Sequence, residues 1–202
     1  MTMKPQTLIA AAVVVTAFAW SSAVAQQQTQ RVVGKIEGID GPTLVVNTGQ
    51  GEVKVNVAAT AAVFGVVNAT IADVKPGNFI GVGATPQADG SQKAIRVMIF
   101  AESQRGTGEG HRPWNRPNTT MTNATVDTTV ASVDGQVVTV KYRDGEKKII
   151  IGPDARISAY LVGDKSELRP GANIAINAAA KKPDGSLEAS RINVGRGDVV
   201  PD

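Results

Sequence analysis

The chain has 202 residues, no cysteine, few aromatics, and 21 Lys and Arg against 18 Asp and Glu. The absence of thiols excludes disulfides, thiolate metal sites and a lipid-modified cysteine anchor, so stability has to come from packing. The thin positive excess argues against nucleic acid as a partner, which calls for a basic face as well as a favourable total.

At the N-terminus, Lys4 precedes an apolar run from Leu8 to Ala19, and small residues follow to Ala23-Val24-Ala25. This predicts a cleavable signal peptide over 1–25 and an exported protein, periplasmic or secreted. A membrane anchor would need about 20 apolar residues with longer polar flanks. No later stretch is apolar for long enough, so the mature chain is expected to be soluble, without a membrane span. Residues 26–102 carry six charges of each sign and residues 124–202 carry eleven of each. The excess lies between them, in Arg105, Arg112 and Arg116 against Glu109.

Strands are predicted at Val32 to Ile39, Thr43 to Thr48 and Glu52 to Val57, with Asp40-Gly41-Pro42 and Gly49-Gln50-Gly51 as the turns. Alternation puts Leu44, Val46, Val53, Val55 and Val57 on the buried face and Asn47, Lys54 and Asn56 on the wet one. Thr70-Ile71-Ala72-Asp73 carries a capping residue with a carboxylate three positions on, which starts a helix. Pro76 limits that helix to about one turn. Phe79 to Ala84 and Lys93 to Phe100 complete five strands.

The same order returns. Under a shift of 94 residues Asp40-Gly41 falls on Asp134-Gly135, Gly51-Glu52 on Gly145-Glu146 and Pro76-Gly77 on Pro170-Gly171. A shift of 95 then puts Asp89-Gly90-Ser91 on Asp184-Gly185-Ser186. Apolar residues meet apolar ones between these anchors: Ile39 with Val133, Val55 with Ile149, Val57 with Ile151 and Ile80 with Ile174. Asp164-Lys165-Ser166-Glu167 repeats the helix start. This predicts an internal repeat and an all-β fold with minor α: two tandem OB-like barrel modules, 31–102 and 124–196, joined by a linker at 103–123. A split pair of small sheets is the alternative. Modules of about 70 residues have marginal cores, so the copies are expected to pack together.

At Asp73-Val74-Lys75-Pro76-Gly77-Asn78, at Glu167-Leu168-Arg169-Pro170-Gly171 and at the linker Gly106 to Trp114, the chain resembles an uncharacterised family of exported bacterial proteins with tandem OB-like repeats. The resemblance implies the fold and no activity. Some look-alikes carry a metal-transporter permease label, which does not suit a chain without spanning segments.

No reactive constellation stands out. His111 is the only histidine, in a Gly-rich stretch away from any nucleophile signature, and reads as a solvent-exposed linker residue. One histidine without cysteine cannot complete a zinc site, and each Asp-Gly is explained by its turn. The expectation is therefore no enzyme, no metal and no cofactor. Two binding candidates remain. In the linker, His111, Arg112, Trp114 and Arg116 set a stiffened aromatic among cations, suited to a sugar ring or an anion, unless Trp114 plugs the seam between the modules. In the second copy, Lys141, Tyr142, Arg143 and Lys148 lie on the hairpin from Val138 to Ile151, where OB folds bind chains, although a solvated hairpin tip explains them as well. The functional expectation is a binding or structural component of the bacterial envelope, with an unknown envelope protein or glycan as partner. The alternatives are anionic-ligand or glycan binding through these residues, and an accessory role in solute or metal-ion transport.

Overall fold

The computed structural model describes residues 28–132 and 135–201; the expected signal peptide lies outside them. Twelve strands are present: β1 (Thr29–Asp40), β2 (Thr43–Asn47), β3 (Glu52–Asn68), β4 (Phe79–Pro86), β5 (Gln92–Ile99), β6 (Gly110–Pro113), β7 (Thr120–Ser132), β8 (Gly135–Tyr142), β9 (Gly145–Ile151), β10 (Arg156–Val162), β11 (Asn173–Lys181) and β12 (Leu187–Gly195). The two expected helices are single 3-10 turns, Ile71–Asp73 and Lys165–Glu167. Each is capped as its sequence requires, by Thr70 N–H on Asp73 at 2.8 Å and by Ser166 N–H on Asp164 at 2.7 Å. The buried face is also as expected, with Leu44, Val46 and Val55 enclosed and Lys54 exposed.

The fold is all-β and closes into five-stranded barrels. Barrel 1 runs β1-β2-β3-β12-β11 and back to β1, and barrel 2 runs β7-β8-β9-β5-β4 and back to β7. In both, the third and fifth strands pair parallel, as β3 with β12 and β5 with β9. The barrels are therefore not the two expected modules. Barrel 2 is one contiguous stretch, β4 to β9, while barrel 1 joins the two ends of the chain. Each half supplies a three-strand meander to one barrel and a two-strand hairpin to the other.

Registers in the two barrels superimpose under fixed shifts. Val55↔Leu187 matches Ile149↔Gln92, and Val46↔Val53 matches Val140↔Lys147. The expected alignment of β1 needs correction. Val32↔Ile176 answers to Thr122↔Val82, and Ile36↔Val46 to Val126↔Val140, so β1 maps onto β7 by 90 residues rather than 94. Ile39 thus corresponds to Thr129, not to Val133, because the β7–β8 hairpin is longer by two pairs.

Each barrel holds its own aliphatic core. Val32, Ile36, Leu44, Val55, Ile174 and Ile192 belong to barrel 1, and Ile80, Val82, Val97, Val138, Ile149 and Ile151 to barrel 2. Full burial of such side chains stabilises by about 1.5–3 kcal/mol each. A third cluster seals the seam. The end of β3 pairs antiparallel with β10, placing Val66 opposite Tyr160, and Phe64 and Phe100 pack with them. The Phe100 and Tyr160 rings meet edge-on at 5.7 Å. Arg196 closes the margin on Glu167 at 2.8 Å, with its guanidinium against the bare backbone of Gly65.

This exchange makes a direct prediction about fragments. Residues 69–157 contain all of barrel 2 and should unfold cooperatively on heating when expressed alone. Residues 124–202 contain three strands of one barrel and two of the other, and should show no cooperative transition as a monomer. Circular dichroism melts of the two fragments check it.

Candidate functional site: the strap and hairpin of barrel 2

The stretch at 103–123 is not a free linker. It is a strap bound along the wall of barrel 2. Arg105 donates to Gly77 O at 2.8 Å, Gln104 is buried, and β6 adds to β7 in antiparallel register from Gly110↔Asn123 to Pro113↔Thr120. Asn123 in turn donates to Thr107 O at 2.9 Å.

Trp114 is anchored at the end of the strap. Its backbone N–H donates to Thr119 O at 3.0 Å, and its ring lies on the outer face of β4 over Gly83. A Cβ at Gly83 would sit 2.6 Å from the ring, so only glycine leaves room for it. The Arg116 guanidinium lies 5.2 Å from the ring centroid. Trp114 is half-buried there, whereas the seam between the barrels is filled by Phe64, Tyr160 and Phe100.

The structure brings the two sequence candidates together. Arg143, at the hairpin tip, donates its backbone N–H to Glu109 of the strap at 3.0 Å. His111 is partly buried rather than solvent-exposed, and shares a hydrogen bond of 2.8 Å with Thr122. Burial, and then the charge of nearby Lys147, hold its imidazole below the ordinary histidine value. Arg112 is exposed and donates to Gly108 O at 2.8 Å.

The other hairpin residues divide by face. Tyr142 points inward and packs on the core of barrel 2, which removes it as a stacking platform. Lys141 points outward and pairs with Asp127 at 3.2 Å. Lys148 is exposed beside the β4–β5 turn, where its charge adds to the two Ser91 hydrogen bonds that lower the Asp89 pKa.

Gly83 and Glu109 were not singled out by sequence reasoning. The Gly81-Val82-Gly83 alternation was the available signal, since outward glycines in a strand mark a close approach of other groups. Gly81 is covered in the same way by Phe100. No family model, no curated protein and no solved structure matches the chain.

Two outcomes follow from this geometry. Gly83→Val should expel Trp114, shift its fluorescence to the red and cost about 1–3 kcal/mol in a urea melt. For His111, a folded-state pKa below the unfolded value of about 6.5 means the folded state binds fewer protons. Its contribution to stability is complete above that pH and is lost as pH falls through the folded value. The protection factors of the β6 amides, exchange rates corrected for the intrinsic effect of pH, should therefore fall below about pH 6.5 in the native chain and much less in His111→Gln.

Proposed function

We propose that this protein is a non-catalytic, exported component of the bacterial envelope that binds an anionic ligand, such as an acidic glycan, on the strap face of barrel 2. The contact between Glu109 and Arg143 carries the reading, because it gathers two cationic segments far apart in sequence onto one surface. Arg112, Arg116 and Arg143 are exposed around the ring of Trp114 and the tip of the hairpin. Flexible cations beside a fixed aromatic suit a chain of charged sugars better than a compact substrate. The leader-like N-terminus supports export. Among the described residues no helix is long and apolar enough to cross a membrane. The resemblance to exported proteins with tandem OB-like repeats supports the same setting.

Trp114 is the one tryptophan downstream of the leader and is a built-in reporter. Titration with polygalacturonate should change its fluorescence, with affinity falling as salt rises. Arg116→Ala combined with Arg143→Ala should weaken binding about tenfold or more at low salt, by removing two charged contacts. An unchanged spectrum at saturating polymer, or equal affinity of the double variant, would refute the reading.

A further inference from the structure

In barrel 2, β6 lies against Thr120–Asn123 of β7 and beside the hairpin tip at Tyr142–Lys147. Under the two register shifts these segments correspond to residues 30–33 and 48–53 of barrel 1. Among the described residues no strap covers them. Barrel 1 has an open groove there of about 430 Å³, lined by Gln30, Arg31, Val32, Thr48, Glu52 and Val53 among others.

One wall of that groove is a strand edge that no described residue pairs with. Along 30–33, β1 pairs with β11, and its pairing with β2 begins only at Lys35. Lys181 donates its N–H to Gln28 O at 2.9 Å, so the polar backbone groups of Gln28 and Gln30 face β11. Those of Thr29 and Arg31 face the groove by alternation. An unpaired edge of this kind is a template for another extended segment.

We infer that this groove of barrel 1 is a strand-addition site for an extended peptide from a partner protein. The occupant follows from the precedent inside the same chain: about four residues, antiparallel to β1, lying as β6 lies on β7. Its chemistry differs at one position. His111 of β6 meets Thr122 and neighbours Lys147, and barrel 1 has Val32 and Val53 in those two places. The incoming segment should carry an apolar side chain there, because a buried imidazole would lose its hydrogen-bond partner.

Two acetylated peptides test this against the isotope-labelled protein by NMR. One copies residues 107–115, and the other carries His111→Val. The valine peptide should shift the amides of residues 30–33 and 48–53 and bind about tenfold more tightly than the histidine peptide. Val32→Thr with Val53→Lys should reverse that preference. Arg31→Pro, which removes one outward N–H from an edge strand that tolerates proline, should weaken both peptides. The inference is overturned if millimolar peptide leaves those amides unmoved or if Arg31→Pro binds as well as the native chain. It is equally overturned if the Arg31 amide is already protected from exchange without peptide, since residues upstream of Gln28 would then occupy the groove.

Discussion

The parallel pairing of β3 with β12, and of β5 with β9, is the constraint on which the rest of the molecule depends. A three-strand meander has two open edges and cannot enclose its apolar face alone. Here each meander is closed by a hairpin from the other half of the chain. The cause is visible in β3, which runs 17 residues, against 5 in β2. At about 3.3 Å per residue a strand of that length overruns one barrel. Its far end serves the seam instead, pairing with β10 and β12. The short turn at Ile71–Asp73 then delivers β4 to the second barrel rather than back to the first.

The same overrun explains the seam. Two barrels that merely touched would need only a patch of contact, but here the backbone ladder is continuous from one barrel through β3 and β10 to the other. Val66 and Tyr160 face each other in the register pair that each occupies for the other under the 94-residue shift. Three aromatic residues, Phe64, Phe100 and Tyr160, fill the seam, while Trp114 lies on the outer face of barrel 2 over Gly83. Lys165 ties down the crossover by donating to the carbonyls of Ala58 and Ala59 at 3.1 and 2.7 Å.

The halves share registers and differ in dressing. Barrel 2 carries a strap, with Thr122, Gln92 and Lys147 where barrel 1 has Val32, Leu187 and Val53. Polar residues at inward positions forgo part of the core's apolar burial and are tolerated when they find partners. Thr122 finds His111, and Gln92 accepts from Thr120 at 2.7 Å. The asymmetry is thus a local exchange of apolar packing for a bound segment, and it sets the two barrel mouths apart as surfaces.

Much of the architecture was legible in the residues. Asp-Gly and Pro-Gly pairs marked the turns, with Gly77 and Gly171 at φ 87° and 89° where other residues would be strained. Alternation assigned Leu44, Val46 and Val55 to a core, and the capping spacing located both 3-10 turns. Those signals are local: a turn, a face and a cap each depend on residues within a few positions. The partners of β4–β5 and β11–β12 are not local. Ile80 and Val82, or Ile174 and Ile176, bury equally well against either meander, so the apolar pattern is silent about the exchange. For the same reason the sequence could name His111, Trp114 and Arg143 as candidates but not join them, nor turn Tyr142 inward. That arrangement came only with closure of barrel 2, which brought the strap to the hairpin; among the described residues the matching edge of barrel 1 has no such cover.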